Sequence, residues 1–473
     1  MKSRIAFARK VAAGVCFAVL IGGSACLADN PIVQTIFTAD PAPVVHGGVC
    51  YLYTSHDEDV LVKNFFTMKD WRCFSSTDMV NWTDHGAVAS LHNFAWADPK
   101  ISGWGGFENG AWAVQCIERG GKWYLYCPLQ GRGIGVLVAD NPLGPFTDPI
   151  GKPLIGGKYD SIDPTVFIDD GGQAYLYWGN PRCWYVKLNK DMISYDTSIG
   201  DKGLVVLDMT VDAFGKRSKE DPKRITTYEE GPWLYKRSGL YYLFFAAGPI
   251  SEHLGFSTAP TAEGPWKYGG VVIPTQGRSF TDHPGVVDYK GKTYLFYHNG
   301  ALPGGGGFHR SVCVDELKFK PDGSVMQMDM SKDGAPQIEP LNPYATVQAE
   351  TICWSERIKS EPASQGGMCV YATATNAYIK VKGVDFGPGA KSFSASVASA
   401  GAGGNIELRL DSLEGPKVGV CEVPNTGDNQ KWKTVSIPVH GASGVHDLYL
   451  LLIGNEKHNF NFDWWKFESL PQS

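Results

Sequence analysis

The most regular feature of the chain is a set of short apolar runs that are separated by glycine turns. One pattern occurs five times: an apolar run, a turn that contains glycine, and then Tyr, Leu and a second aromatic residue. The five aromatic triplets lie at residues 51–53, 124–126, 175–177, 242–244 and 294–296. Two apolar runs on either side of a glycine turn predict a β-hairpin. The chain is therefore expected to repeat one hairpin five times.

Further strand-like segments, such as WRCFSS and IGVLVAD, follow the hairpins, and no helical periodicity lies between them. Repeated units of about four strands are the sequence signature of a β-propeller. We predict an all-β fold in which a five-bladed β-propeller occupies residues 30–325. The alternative is a pair of β-sandwiches with similar hairpins, which five matched copies disfavour.

The hairpin repeat stops near residue 325. Residues 326–345 include the Gly- and Pro-rich stretch DGAPQIEPLNPY and are predicted to be a linker. Segments such as YIKVKGV, NIELRLD and HDLYLLLIG then alternate with turns. This pattern predicts a β-sandwich (jelly-roll) domain over residues 346–470.

The charge balance limits the possible partners. The 43 Lys and Arg residues against 49 Asp and Glu residues give a net charge of -6, which argues against binding nucleic acid or an anionic membrane. A neutral, polar partner fits better. The 14 Trp, 21 Tyr and 23 Phe residues supply flat rings for β-packing and for stacking on sugars.

The N-terminus has the composition of a signal peptide. Four basic residues precede an apolar stretch at positions 11–21, and small residues follow up to position 28. The stretch is too short for a transmembrane helix, so we predict a secreted, periplasmic or cell-surface protein, and lipidation of Cys26 stays open. The remaining cysteines include no C-x-x-C pair, which disfavours zinc and redox chemistry.

Acidic residues occupy one equivalent position in three of the hairpins. Asp163 and Glu230 each precede the first Tyr of their hairpin by 12 residues, and Asp40 precedes its Tyr by 11 with a shorter turn. In the other two hairpins Trp112 and Asp282, with His283 beside it, hold this position. The first hairpin strand is expected to be the innermost of each blade, so these side chains should face one channel. Strand alternation favours Glu230 over Glu229.

Carboxylates that share a partly dry site push their pKa values apart, which separates an acid from a base at one pH. Hydrolysis of a glycosidic bond uses such a pair. In the inverting geometry the two groups stand roughly 6.5 to 9.5 Å apart, with room for a water molecule. No cofactor is needed for this chemistry.

At these residues the chain resembles family 43 of the glycoside hydrolases, which are inverting five-bladed propellers. The stretches TADPAPVVHGGVCYLYTSHD, YDSIDPTVFIDDGGQAYLYWG and EEGPWLYKRSGLYYLFFAAG carry the resemblance. It implies Asp40 as general base, Glu230 as general acid, and Asp163 as the residue that tunes the pKa of the acid and orients it. It also implies that Trp112, His283 and Arg310 bind substrate, and that His283 holds an ion in the channel. One departure is Val114, where many relatives have Pro.

The C-terminal segments YATVQAE, YIKVKGVDFG and FNFDWWKF resemble a family 6 carbohydrate-binding module. This likeness implies a structural calcium near Glu350 and Asp463, because hard carboxylate oxygens suit that ion. It also implies a sugar cleft with Trp432 and Asn461. For the first aromatic residue of the cleft, Thr373 lies near the expected position and Tyr371 lies two residues away.

These features together predict an exo-acting hydrolase that removes α-L-arabinofuranosyl side chains from arabinoxylan, with the module holding the enzyme on xylan. A β-xylosidase that uses the same carboxylates on xylo-oligosaccharides is the alternative. A hypothesis of another class is a non-catalytic polysaccharide-binding propeller, against which the retention of three acids weighs.

Overall fold

The computed structural model describes residues 29–97, 108–157, 160–454 and 458–471. The predicted leader at residues 1–28, with Cys26, lies outside the described residues. The described chain is built from β-strands, one short helix, Val211–Phe214, and one 3-10 turn, Leu91–Asn93, which confirms the all-β prediction. No described helix is long and apolar enough to span a membrane.

Five antiparallel sheets follow one another along residues 37–316 of the described chain. The first contains β1 (Phe37–His46), β2 (Val49–Asp57), β3 (Asp70–Ser76) and β4 (Trp82–Ser90). The second contains β5 (Gln115–Arg119), β6 (Lys122–Leu129), β7 (Gly133–Ala139) and β8 (Ile155–Gly156). The third contains β9 (Thr165–Ile168), β10 (Ala174–Trp178), β11 (Trp184–Leu188) and β12 (Val205–Val206). The fourth contains β13 (Tyr228–Arg237), β14 (Leu240–Ala247), β15 (His253–Ala259) and β16 (Lys267–Ile273), and the fifth contains β17 (Gly285–Tyr289), β18 (Lys292–Asn299) and β19 (Ser311–Glu316).

The first strands of the five sheets form a closed ring. Strand β1 contacts β5, β5 contacts β9, β9 contacts β13, β13 contacts β17, and β17 contacts β1 again. Each of these strands pairs with the strand that follows it in a hairpin, as the repeat predicts. The beginnings of these strands therefore meet around one axis.

The described part of residues 347–469 contains twelve strands, which form two further sheets except for β21. They are β20 (Val347–Gln348), β21 (Thr351–Ile352), β22 (Trp354–Glu356), β23 (Ile358–Pro362), β24 (Met368–Ala372), β25 (Ala377–Asp385), β26 (Ala390–Ser399), β27 (Gly404–Leu410), β28 (Lys417–Val423), β29 (Asp428–Pro438), β30 (Val445–Ile453) and β31 (Asn461–Ser469). One sheet has the order β23-β24-β31-β26-β29, and the other has the order β22-β25-β30-β27-β28. Residues of both sheets, such as Phe393, Trp465 and Leu450, share one hydrophobic core.

The two parts of the chain are joined by hydrogen bonds between their backbones. Strand β21 pairs with β4 and becomes the fifth strand of the first sheet. The side chain of Asn81 both donates to the backbone oxygen of Lys382 (2.9 Å) and accepts from its backbone nitrogen (2.8 Å). The predicted linker lies on this junction, because Ile338 N donates to Asp78 O and Leu341 N to Gly383 O. These contacts hold the two parts in one arrangement.

Candidate active site

The three predicted carboxylates line a single cavity of about 260 Å³ at the centre of the ring of first strands. Asp40 lies near the start of β1, Asp163 lies just before β9, and Glu230 lies on β13. The predicted substrate residues Trp112, His283 and Arg310 line the same cavity. We call this space the catalytic cavity.

Local backbone irregularities aim these side chains. Asp40 and Asp163 have φ angles of 54° and 56°, and Gly231 beside Glu230 has φ 58°. A β-bulge interrupts the β1–β2 register around Asp40, and another follows Glu230. Bulges near active sites redirect a side chain that a regular strand would place elsewhere, and left-handed backbone at a non-glycine residue often marks a functional position.

Asp40 is held as an ionised carboxylate. The Ser55 hydroxyl donates to its Oδ2 at 2.6 Å, and Arg310 Nη1 donates to its Oδ1 at 2.9 Å. Burial alone would raise the pKa of Asp40, but the charge of Arg310, with smaller effects of His283, His298 and the hydrogen bond from Ser55, outweighs burial and lowers the pKa from 3.8 to about 2. A carboxylate that stays ionised can accept a proton from water.

Glu230 has the opposite character. Burial raises its pKa from 4.5 to about 7, although the amide of Asn180, which donates to Oε2 at 2.5 Å, opposes this shift. Asp163 accepts a hydrogen bond from Gly231 N at 3.1 Å, and burial, followed by the negative charge of Glu230, raises its pKa well above the usual value. The cavity therefore combines one carboxyl group whose pKa is lowered with two carboxyl groups whose pKa values are raised.

Glu229 also lines the cavity, which strand alternation does not predict, but its carboxylate is held by two arginines. Its carboxylate accepts from Arg217 Nη1 at 2.6 Å and from Arg224 Nη1. Arg224 also donates to Asn180 Oδ1 at 3.1 Å and so orients the amide that reaches Glu230. The two arginines engage both oxygens of Glu229, which leaves Glu230 as the carboxyl group available for proton transfer, and the negative charge of Glu229 helps to raise the pKa of Glu230.

Arg310 has a second acidic partner that the repeat did not single out. Asp57 is fully buried and accepts from the backbone nitrogen of Arg310 (2.9 Å), from its Nε (3.0 Å) and from its Nη2 (2.9 Å). The guanidinium also lies 4.7 Å above the ring of Phe66. Asp57 thus fixes the cation that lowers the pKa of Asp40.

His298 is another missed residue. Its ring is fully buried, with Nδ1 accepting from Asp40 N at 3.2 Å and Nε2 lying 2.9 Å from Thr281 O. Burial lowers its pKa to about 3, so the ring is neutral and supports the backbone of Asp40.

The apolar wall of the cavity contains the predicted stacking residue. Trp112 is 9% exposed and packs edge-to-face on Phe66, with ring centroids 6.2 Å apart. Phe65 and Ile162 also line the cavity. A wall of flat rings opposite charged groups is suited to a sugar, which has both apolar and hydroxylated faces.

His283 lines the cavity, whereas Asp282, which holds the predicted position in the fifth hairpin, is not among the lining residues. His283 Nδ1 lies 4.0 Å from Asp40 Oδ1, and burial lowers its pKa to about 4. A neutral imidazole can bind a cation. Among the described residues, however, the group of three metal-ligating side chains is His56, Glu58 and Asp70, so an ion at His283 would need water ligands. The channel ion stays a prediction.

The predicted calcium residues fit a hard cation. Glu350 is 3% exposed, and its Oε2 has no hydrogen-bond partner among the described residues. Burial, together with the nearby charges of Asp84 and Asp463, raises its pKa to about 9. An unpartnered buried carboxylate is costly without a cation or a proton. Calcium would be held by Glu350 and Asp463, and it would supply charge neutralisation at the junction.

The two residues of the predicted sugar cleft in the C-terminal part differ in their burial and in their hydrogen-bond partners. Trp432 is half-buried on β29 and donates to the Ser364 hydroxyl at 3.0 Å. Asn461 is fully buried, and its amide donates to Glu361 Oε1 at 2.7 Å. Tyr371 pairs with Asn461 across β24 and β31, so Tyr371, rather than Thr373, lies next to it. Direct sugar contacts by Trp432 and Asn461 stay predictions.

Comparison with known proteins assigns a family to each part. Residues 28–325 match the family model of the glycosyl hydrolases family 43, and residues 348–469 match that of the carbohydrate binding module (family 6).

Similar proteins extend over nearly the whole chain. An arabinoxylan arabinofuranohydrolase of Bacillus subtilis (strain 168) is 34% identical over 93% of this chain and 92% of its own length. A xylosidase/arabinosidase of Humicola insolens is 31% identical over 63% of this chain and 98% of its own. The crystal structure of a family 43 arabinoxylan arabinofuranohydrolase from Bacillus subtilis in complex with cellotetraose matches with a TM-score of 0.78 and 32% identity, covering 93% of this chain and 97% of that one.

Proposed function

The chain belongs to glycosyl hydrolase family 43 and is a glycoside hydrolase with a family 6 carbohydrate-binding module, and from this premise we propose that it removes α-L-arabinofuranosyl side chains from arabinoxylan with inversion of configuration. The observation that carries the reaction is one cavity that holds Asp40, whose pKa is lowered to about 2, and Glu230, whose pKa is raised to about 7. The choice of sugar rests on the arabinoxylan arabinofuranohydrolases that are similar over 93% of the chain.

Each carboxyl group has one task in this mechanism. Glu230 gives its proton to the glycosidic oxygen as the bond to the sugar breaks. Asp40 takes a proton from a water molecule, whose oxygen attacks the anomeric carbon from the opposite face. Asp163, placed beside Gly231, keeps the acid oriented and its pKa high. The net reaction adds one water across the bond and returns both groups to their starting charge after proton exchange with solvent.

The architecture that we propose follows the same assignment. The five sheets are the blades of a five-bladed propeller over residues 30–325, and the closed ring of first strands supports this arrangement. Residues 326–345 are the linker, and residues 346–470 are a jelly-roll module that binds arabinoxylan or xylan. A structural calcium at Glu350 and secretion after removal of residues 1–28 complete the proposal.

The alternative activity is that of a β-xylosidase. Relatives named xylosidase/arabinosidase and beta-xylosidase match 63% and 61% of this chain, and this alternative would use the same three carboxylates. Side-by-side hydrolysis of an aryl α-L-arabinofuranoside and an aryl β-D-xyloside decides between them. A kcat/KM that is higher on the arabinofuranoside is expected, and a clear preference for the xyloside would replace the proposal with the alternative.

The pH dependence of the reaction should follow Glu230. Activity requires Glu230 to be protonated, so kcat/KM on arabinoxylo-oligosaccharides is expected to fall as the pH rises through about 7. Asn180 donates to the ionised form of Glu230, and its hydrogen bond lowers the pKa of that group. In an Asn180→Ala variant the pKa of Glu230 rises, so the descending limb of the pH profile, where activity falls on the alkaline side, is expected at higher pH.

The control for this shift is Asn189→Ala, since the Asn189 side chain donates to the Ser194 hydroxyl in an exposed turn. A descending limb that is the same in Asn180→Ala and in the control would contradict the assignment of Glu230 as the titrating acid.

Asp57 should act through Arg310 rather than on the substrate. An Asp57→Asn variant keeps the side-chain shape but turns one acceptor of the guanidinium into a donor, so Arg310 loses its fixed position. We expect kcat to fall by about 10- to 100-fold, as for a misplaced catalytic group. The pKa of Asp40 should also rise, which moves the ascending limb of the pH profile to higher pH.

Asp315→Asn is the matched control for this variant, because Asp315 is a buried carboxylate on β19 that accepts from Tyr297 and Ser331 and is not among the lining residues of the catalytic cavity. If both variants lose thermal stability but neither moves the ascending limb, Asp57 is structural only.

A further inference from the structure

A second cavity lies between the two domains, and we propose that it binds the main chain of xylan while a side-chain sugar enters the catalytic cavity. This inference rests on the proposed function and specifies where the polymer lies. The cavity measures about 570 Å³, compared with about 260 Å³ for the catalytic cavity. We call it the interdomain cleft.

The walls of the interdomain cleft come from both domains. The propeller side contributes Gln34, Phe37 and Pro303, and the module side contributes Trp354 and the segment 355–359. A site of this kind exists only when the two domains keep a fixed arrangement.

Contacts next to the cleft fix that arrangement. Gln34 Nε2 donates to Cys353 O at 3.3 Å, and Lys359 Nζ lies 2.8 Å from Asp59 Oδ2. The pairing of β21 with β4 adds backbone hydrogen bonds at the base of the junction. The walls are therefore formed before a ligand arrives, which reduces the entropy lost on binding.

The lining groups suit a neutral sugar polymer. Trp354 is a half-buried indole, and Phe37 offers a second ring from the opposite wall. Flat rings and hydrogen-bonding groups in one cleft match pyranose units, which have apolar faces and hydroxylated edges. The charges largely cancel, because Glu356 and Arg357 are of opposite sign and Lys359 is paired with Asp59. A polyanionic ligand would meet no excess of positive charge here.

Arg357 is held in an unusual conformation within this wall. Its φ angle is 58°, a region that non-glycine residues rarely adopt and that often marks a binding position. Thr373 donates to the Arg357 carbonyl through its backbone nitrogen (2.8 Å) and through its hydroxyl (3.1 Å), and the guanidinium donates to Thr375 O at 3.0 Å. The nearby Ser355 hydroxyl is 5% exposed and has no hydrogen-bond partner among the described residues. Arg357 and Thr373 are thus fixed by bonds within the module, and the Ser355 hydroxyl is a polar group of this wall that is left to bond a ligand.

One loop separates the cleft from the catalytic cavity. Pro303 at one end of the β18–β19 loop lines the cleft. Phe308 at the other end packs on Phe66 of the catalytic cavity, with ring centroids 4.8 Å apart. His309 stacks on Phe37 at 4.5 Å, and the next residue is Arg310. A xylan chain in the cleft therefore lies one loop away from the acid and the base.

The test compares a polymeric with a small substrate in the full-length enzyme. We expect Trp354→Ala to raise KM on arabinoxylan by about tenfold and to leave kcat/KM on an aryl α-L-arabinofuranoside close to that of the wild type. Trp354→Phe, which keeps an aromatic ring, should recover most of the loss. Trp464→Ala is the matched control, because Trp464 is a half-buried indole on β31 that is not among the lining residues of the interdomain cleft.

Binding of xylohexaose to the full-length Glu230→Gln variant, with and without Trp354→Ala, gives a direct readout. Weaker binding in the double variant supports the cleft. An unchanged KM on arabinoxylan, equal losses on both substrates, or unchanged xylohexaose affinity would overturn the inference. If the wild type releases arabinose from neither substrate, the proposed function fails instead, which is a distinguishable result.

Discussion

Replacement of Glu230 by glutamine is expected to lower kcat on arabinoxylan by about 10³-fold or more. The amide keeps the shape of the side chain and can still accept the hydrogen bond from Asn180, so the fold should survive. It has no proton to give to the leaving oxygen, and a sugar hydroxyl is a poor leaving group without one. Steady-state kinetics on arabinoxylo-oligosaccharides, together with thermal unfolding, measure this effect.

A substrate whose leaving group needs no proton distinguishes loss of the general acid from a general loss of folded enzyme. The dinitrophenolate group of a dinitrophenyl arabinofuranoside leaves without being protonated. The Glu230→Gln variant should therefore retain most of its activity on that substrate. Glu263→Gln, which changes a surface carboxylate paired with Lys187, is the control. Equal losses on both substrates would show that Glu230 is not the general acid.

Replacement of Asp40 by asparagine should also lower kcat by about 10³-fold or more, and in this case on both substrates. The attacking water needs a base whatever the leaving group is, and an amide cannot take its proton. The low pKa of Asp40 depends on Arg310 and His283, so the wild-type carboxylate is ionised throughout the working pH range. The measurement is kcat on the oligosaccharide and on the dinitrophenyl glycoside for the same preparation.

The control for this variant is again Asp315→Asn, a buried carboxylate of the fifth sheet that is not among the lining residues of the cavity. Near wild-type turnover in Asp40→Asn, or recovery on the activated substrate alone, would contradict the role of Asp40 as general base.

The hairpin repeat made the three carboxylates predictable, because equivalent positions in a repeated unit reach equivalent places in space. Asp40, Asp163 and Glu230 were found by their distance from the first Tyr of each hairpin. The same rule pointed to Asp282, yet the structure brings His283 to the cavity. The number of residues before the first Tyr does not show how the backbone turns before β17 begins, and this turn decides which of two neighbouring side chains faces the cavity.

The missed residues also have a common position. Asp57, Asn180 and His298 lie at or just after the end of the second hairpin strand, which in an antiparallel pair is opposite the start of the first. A search of the end of each second hairpin strand would have found them, since a hairpin places that end beside the start of its first strand, and therefore beside the cavity. Their bonds to Arg310, Glu230 and the backbone of Asp40 depend on side-chain directions between different sheets, which spacing along the chain does not contain.

The interdomain contacts were beyond the reach of the sequence pattern. Strand β21 has two residues, Thr351 and Ile352, and its pairing with β4 joins segments about 270 residues apart. No periodicity marks so short a strand. The composition of residues 326–345 indicated a linker, but Ile338 and Leu341 bond to the two domains, so the segment holds them together as well as connecting them.

The most direct test of the central claim is a proton NMR time course of the purified enzyme on arabinoxylan. The proposed mechanism predicts that free arabinose is the first sugar to form, that it forms as the β-anomer before it equilibrates, and that the xylan main chain stays intact. Xylose or xylo-oligosaccharides as the first products, or arabinose that forms first as the α-anomer, would contradict the assignment of substrate or of mechanism.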